Sequence, residues 1–249
     1  MERSKVYFVS DVHLGLKVKD PAAREARFVS FLRSIPKEDT TALYLLGDIW
    51  DFWYEYRDVV PKGYVRVFSA LQELMEAGVE VIFFPGNHDI WTFGYFESLG
   101  MKVVRSKYEM ISHQGLRLCV GHGDGIGEGM RMYKLMRWGF HNRLLQKLFT
   151  QLHPWMAFRL GEGWSRRSRL ARSIPYEFRG QEEPLYRWAA DMAAREDGGI
   201  NLFIFGHYHT AVDMPVLGSG GVLSRLVILK DWMEGTHYAV LEGGQLEVF

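Results

Sequence analysis

An α/β fold of layered sheets and helices is predicted for this chain of 249 residues, and three observations predict it. Short apolar runs suited to buried strands alternate with helix-like stretches through the first half. The C-terminal third carries runs of alternating pattern with few helix signals. Five segments that pair small residues with oxygen or imidazole donors fall mostly where the apolar runs end.

The strand-like runs cover residues 6–10, 42–46, 79–84, 116–120, 201–205 and 223–229. Between the first two lies Pro21–Ser34, with Ala22, Ala26, Val29 and Leu32 at helical spacing and Pro21 suited to a first turn. Residues 64–77 repeat the pattern through Val67, Leu71, Leu74 and Met75 and stop at Gly78. Strand, helix, strand, helix, strand implies parallel pairing at the start. Residues 236–241 and 245–249 alternate and should add antiparallel strands.

Residues 128–180 differ. Between 128 and 172 there are ten Lys/Arg and two acidic residues, a local excess of +8 in a chain whose formal net charge is zero. Tyr133, Met136, Phe140, Leu144, Leu148 and Leu152 step by three and four, which predicts one helix ending at Pro154 and a second over 155–170. The stretch reads as a helical lid insert within a single domain of residues 1–249. Apolar residues at this spacing also suit a core, and a basic run also suits a solvated face.

Composition narrows the class. An apolar content of 47% with 24% charged residues is that of a soluble globular chain with a full core. Zero net charge argues against a surface built for nucleic acid, and no nucleic-acid partner is expected. The single cysteine, Cys119, lies in an apolar run and reads as a core thiol. No signal-peptide pattern and no apolar run of about 18 residues are found, so a cytoplasmic protein is expected.

The five segments carry the chemistry. Asp11 and His13, two apart at a strand end, leave the backbone on the same side. Asp48 follows Gly47, and Asn87 follows Gly86, again at strand exits. His122 and the pair His207 and His209 arrive from strand ends in the second half. Sites in open α/β sheets gather at such carboxyl ends. A carboxylate such as Asp48 can bridge two cations, and mixed oxygen and imidazole donors favour transition metals over magnesium or calcium. The set suffices for two ions about 3.5–4 Å apart, an arrangement that hydrolyses phosphate esters.

Asp11-Val12-His13, Gly47-Asp48, Gly86-Asn87-His88-Asp89, Gly121-His122 and Gly206-His207-Tyr208-His209, in this order, resemble the signature of the calcineurin-like metallophosphoesterase family. The resemblance implies a two-sheet sandwich flanked by helices. It implies two divalent metal ions: Asp11, His13, Asp48 and His209 on one, Asp48, Asn87, His122 and His207 on the other. Manganese (Mn2+) is the expected metal, with iron or zinc as alternatives. His88 would stabilise or protonate the leaving group, and Asp89 would orient His88.

Residues 7–14, the stretch Gly47-Asp48-Ile49-Trp50-Asp51-Phe52-Trp53, and the insert's Tyr133 and Trp164-Ser165-Arg166-Arg167-Ser168-Arg169 are similar to one branch of that family. That branch hydrolyses the pyrophosphate bond of UDP-2,3-diacylglucosamine in lipid A biosynthesis. The implied products are 2,3-diacylglucosamine 1-phosphate (lipid X) and UMP. The implied contacts to this acylated UDP-sugar are His88, Tyr133, Ser165, Arg166 and Arg169. Reversible, peripheral association with the cytoplasmic face of the inner membrane is expected from the greasy, basic insert. The branch often has Gly-Asn-Arg-Asp where this chain has Gly-Asn-His-Asp. The alternative is therefore a broader metallophosphodiesterase acting on nucleotides or nucleic-acid ends. A protein-binding scaffold would have lost some of these ligands, all of which are present here.

Overall fold

The computed structural model describes residues 3–127, 131–171, 176–195, 199–218 and 221–249, and their side chains except at 131–134, 162 and 164–171. Two sheets form its centre. Strands β1 (Lys5–Val9), β2 (Thr40–Leu45), β3 (Glu80–Phe83) and β4 (Lys102–Val103) run parallel side by side. On the far side of β1, β10 (Ala239–Glu242) and β11 (Gln245–Val248) add antiparallel, giving the order β11-β10-β1-β2-β3-β4. The second sheet contains β5 (Tyr108–His113), β6 (Leu116–Gly121), β7 (Leu202–Phe205), β8 (Val212–Gly218) and β9 (Gly221–Ile228) in the order β5-β6-β7-β9-β8. Its β6, β7 and β9 are parallel.

Period-two alternation explains how the layers stack. Val6 and Phe8 of β1 join Ala42, Tyr44, Ile82, Leu118 and Ile204 in the layer between the sheets. Tyr7, Val9, Leu43 and Val81 face the other way, toward α1 (Pro21–Ser34) and α2 (Val65–Glu76). On the outer face of the second sheet, Cys119, Phe203, Phe205 and Leu226 pack with Leu185 and Ala189 of α7 (Pro184–Arg195). The result is the helix-flanked two-sheet sandwich expected above, with Cys119 buried and in no disulfide.

Helix α1 starts where the sequence places it. The Asp20 carboxylate accepts from the Ala23 N–H at 3.0 Å, and Pro21 occupies the first turn. Two expectations need correction. The single helix over residues 133–152 is two helices, α4 (Arg131–His141) and α5 (Arg143–Phe149). Asn142 between them is extended (φ −70°, ψ 114°), and its side chain accepts from Leu144 and Leu145 N–H. It therefore caps a new helix rather than continuing the old one. The C-terminal third, read as carrying few helix signals, contains α7. Besides these, β4, β5, β8 and the short helix α3 (Tyr95–Ser98) have no counterpart in the sequence reading.

Helices α4, α5 and α6 (Pro154–Ala171) cover an aromatic floor formed by the loops after β2 and β3. The hydroxyls of Tyr54 and Tyr56 donate to the carbonyls of Gln146 (3.0 Å) and Leu152 (3.3 Å). The Phe158 ring meets Phe52 edge-on at 6.1 Å, and α6 passes so close that a Cβ at Gly161 would overlap the Phe52 ring. Trp50 and Trp53, by contrast, are fully buried core residues. Among the described residues no helix is long and apolar enough to cross a membrane.

Candidate metal centre

The loops that leave β1, β2, β3, β6 and β7 meet at one end of the sandwich and are laced together through their backbones. Asp11 N–H donates to Gly47 O (3.0 Å) and His13 N–H to Asp48 O (2.9 Å). Gly206 N–H donates to His122 O (2.9 Å), and His207 N–H to Asp11 Oδ2 (2.8 Å), so Asp11 ties one sheet to the other. Asp11, His13, Asp48, His207 and His209 all have φ between 49° and 72°. They are five of the eight described non-glycine residues with positive φ. Each such residue costs about 1–3 kcal/mol and persists only where its surroundings over-determine it. The left-handed turns point these side chains inward at the strand exits.

Two glycines make room for them. A Cβ on Gly86 would fall on the Asp48 carboxylate, and one on Gly206 would fall on Ser10 Oγ and Asp11 Oδ2. Gly206→Ala is accordingly expected to displace Asp11 and to remove at least one metal per chain. Metal content measured on folded variant protein checks this, and full occupancy would refute the packing argument.

Two groups of donor atoms that share a carboxylate result, beside a third made of His13, Asp51 and His88. Asp11, His13, Asp48 and His209 offer atoms that all lie within 4.8 Å of one another, and so do Asp48, His122 and His207. Asp48 belongs to both. His13 Nε2 stands 3.6 Å from Asp11 Oδ1 and 3.8 Å from Asp48 Oδ2. His209 Nε2 stands 3.7 Å from Asp11 Oδ1, and His122 Nε2 3.4 Å from Asp48 Oδ2. These separations exceed a hydrogen bond but approach the roughly 3.4 Å edge of a tetrahedron with metal–ligand bonds of about 2.1 Å. Asn87 is backed onto the same carboxylate: its neighbour His88 donates its N–H to Asp48 Oδ1 at 2.9 Å.

Whether metal fits can be judged from the unsatisfied atoms. Asp11 Oδ1, Asp48 Oδ2, Asn87 Oδ1 and His122 Nε2 are buried and carry no hydrogen bond. His122 donates its Nδ1 proton to Leu46 O at 2.8 Å, so in the neutral ring the Nε2 lone pair faces a carboxylate. His209 repeats this, with Nδ1 3.0 Å from Asp231 Oδ2 and Nε2 toward Asp11. A lone pair facing a carboxylate needs a proton or a cation between them. Nδ1 held by an acceptor, leaving Nε2 free, is also how metal-bound histidines are oriented. The donor set fits a dinuclear metal site.

The charges agree. Burial alone would raise the Asp48 carboxyl, but the imidazoles of His122, His88 and His13 hold it well below the usual carboxylate range. Burial pushes Asp11 up. For His122 burial works downward, yet the Asp48 carboxylate draws it up to about 10, the same pull that would favour a cation there. Burial and the neighbouring His122 push His207 down to about 3, keeping its ring neutral.

His88 lies beside these groups, its Nδ1 donating to Asp51 O at 2.8 Å and its Nε2 4.0 Å from Asp48 Oδ2. The expected partnership with Asp89 is not what the geometry shows. Asp89 accepts from the backbone N–H groups of Gly86 (2.7 Å), Ile49 (2.8 Å), Asp48 and Trp50 (both 3.2 Å), so it pins the β2 loop to the β3 loop. Burial and the Asp48 charge raise it to about 7. The residue behind His88 is Asp51, whose carboxylate also lies 3.3 Å from His13 Nδ1. The sequence reading gives neither Asp51 nor Asp231 a role at the site. Asp51 was visible as the acid three residues past Asp48, whereas nothing local marks Asp231.

A cavity of about 230 Å³ opens beside Asp51, between residues 15–18 of the β1 loop and Arg159 and Gly163 of α6. Tyr133 falls within α4 and Ser165, Arg166 and Arg169 within α6, but their side chains lie outside the described residues.

A family model described as calcineurin-like phosphoesterase matches residues 4–211. The chain is 35% identical to the UDP-2,3-diacylglucosamine hydrolase of Porphyromonas gingivalis, over 98% of this chain and 96% of that protein. It is 28% identical to the protein of the same name from Yersinia pseudotuberculosis, over 94% and 93%. Among solved structures, a dimetal phosphatase from Danio rerio aligns over 100% of this chain and 96% of that chain, at 15% identity and a TM-score of 0.47.

Proposed function

We propose that this chain, which belongs to the calcineurin-like phosphoesterase family, hydrolyses the pyrophosphate bond of UDP-2,3-diacylglucosamine, releasing UMP and leaving 2,3-diacylglucosamine 1-phosphate. The observation that carries the reading is the pair of donor groups sharing Asp48, with four buried ligand atoms left without hydrogen bonds. The substrate class is supported by the likeness to hydrolases of that name over nearly their whole length.

Asp11, His13, Asp48 and His209 would hold one divalent ion and Asp48, Asn87, His122 and His207 the other. Manganese is proposed because the mixed carboxylate, amide and imidazole donors suit it, as they suit iron or zinc. When bound, such ions supply a water that is nucleophilic at neutral pH and Lewis acidity at the phosphoryl oxygens. The protein's own part is positional. Asp48 places one negative charge between the two groups, held by His88 N–H on its other oxygen. Asp51 and Asp231 fix the rings of His13 and His209 from behind. His88, with Nδ1 committed to Asp51 O, can offer Nε2–H only as the imidazolium, a cationic donor for the phosphoryl oxygens or the departing UMP.

The segment 128–180 is read as the lid that receives the acyl chains. Leu135, Trp138, Leu144, Leu148, Trp155 and Leu160 of α4–α6 are each more than half exposed, with Arg143, Lys147 and Arg159 among them. The Arg159 guanidinium lies 4.9 Å over the Trp155 ring. Apolar surface interleaved with cations supports reversible docking on an anionic membrane face, with the substrate drawn from the bilayer. Tyr133, Ser165, Arg166 and Arg169 are proposed to contact the glucosamine and its phosphate.

The test compares the acylated UDP-sugar with its deacylated form. Burial contributes about 0.8 kcal/mol per methylene, so a few lid contacts suffice for a preference of about 10²-fold in kcat/KM. Equal rates on both would instead favour a broader phosphodiesterase on nucleotides.

A further inference from the structure

We propose that Arg137 is a positioning residue that seats helix α4 on the metal-centre loops and so registers the acyl-binding surface against the phosphate site. The proposal rests on the lid reading above. Arg137 stands apart from its helix: its side chain is 12% exposed, while Leu135 and Trp138 beside it are 59% and 62% exposed. Its guanidinium pairs with the carboxylate of Asp124, which is 2% exposed. Asp124 follows His122 by two residues and is close enough to both His122 and His207 for its charge to be felt there.

Three residues along the same face of α4, Phe140 makes a second attachment. Its ring meets Trp91 edge-on at 4.9 Å, and its carbonyl accepts from Trp91 Nε1 at 3.1 Å. Trp91 lies two residues beyond Asp89. One face of α4 therefore grips the loop after β6 through Arg137 and the loop after β3 through Phe140. These two loops carry His122 and Asn87, the donors assigned to the second ion. The ring contact alone would tolerate sliding. The ion pair does not, because it ties the guanidinium to one buried carboxylate on the loop after β6. Arg137 thus fixes where the exposed apolar side chains of α4 stand relative to the site.

The test uses Arg137→Met, which keeps the bulk and removes the charge, and Arg137→Lys, which restores the charge. Hydrogen exchange over residues 135–149, metal content, and steady-state kinetics on the acylated UDP-sugar and on bis(p-nitrophenyl) phosphate are measured for each. The methionine variant is expected to keep two metals and to hydrolyse the small diester within about threefold of wild type. Its protection over 135–149 should fall, and its KM for the acylated substrate should rise about tenfold or more with kcat little changed. Lysine should recover part of both. Unchanged exchange and KM would overturn the proposal, as would an equal loss on both substrates accompanied by metal loss. If wild-type protein cleaves the diester but not the acylated sugar, the substrate reading fails, and the exchange result still decides the role of Arg137.

Discussion

Asp48→Ala is expected to lower turnover by about 10⁴-fold or more and to leave less than one metal ion bound per chain. Asp48 is the only carboxylate in the Asp48, His122 and His207 group, and it is shared with the Asp11, His13 and His209 group. Two divalent ions about 3.5–4 Å apart repel by on the order of 15–20 kcal/mol, even at an effective dielectric of about 20. The shared negative charge offsets much of that repulsion. Asp48 Oδ1 also accepts the His88 N–H, so alanine loosens the loop after β3 as well. Asp48→Asn separates these effects. It keeps the shape and can keep the backbone contact but has no charge, so it should retain the fold and still lose metal. Elemental analysis and circular dichroism on both variants provide the check. Activity near wild type in either would remove the shared carboxylate from the account.

What could be read in the sequence depends on how local its cause is. Pro21–Ser34 is legible because its cap, its proline and its apolar steps all lie within the segment. Strands β1, β2 and β3 are legible because each is a short apolar run that ends at a turn-forming residue, whereas β4 is too short to show. Helix α7 is harder to see: two of its four buried residues, Ala189 and Ala193, are small, and its strongest local signal is Pro184 at the first turn. Strand β8 includes Pro215, which an edge strand tolerates and a sequence reader takes as a break. The break at Asn142 depends on a side chain choosing two N–H groups ahead of it over a continuous helix, and apolar spacing is blind to that choice.

The same distinction runs through the site. Donor types and their order along the chain are readable, because each segment sits at a strand exit, and in four of the five a glycine directly precedes the first donor. Their supports are not. Asp231 reaches His209 only because the loop after β9 returns to the site, where Trp232 N–H donates to Asp11 O at 3.1 Å. Asp89 shows the converse error. Adjacency to His88 suggests a carboxylate–imidazole partnership, yet the carboxylate points to backbone N–H groups 39–41 residues upstream as well as to Gly86. Sequence neighbours share a loop, but the direction of a side chain is decided by what the loop crosses.

His88→Ala should behave unlike Asp48→Ala. The His88 backbone N–H that holds Asp48 survives the substitution, and His13 keeps its own contact to Asp51 at 3.3 Å. Metal content should therefore stay at two per chain. The rate should fall by about 10²–10⁴-fold, the range expected when a positioned acid or cationic donor is lost. Loss of metal in this variant would make His88 a ligand. His88→Arg then separates charge from proton transfer, since a guanidinium stays protonated throughout. If His88 acts by its charge on the phosphoryl oxygens, arginine should recover most of what alanine loses, and the same should hold for a substrate with a good leaving group. If His88 delivers a proton, arginine should rescue only the substrate whose leaving group needs none. An arginine variant no better than alanine on either substrate would show that the ring's shape, and not its charge or its proton, is what the site uses.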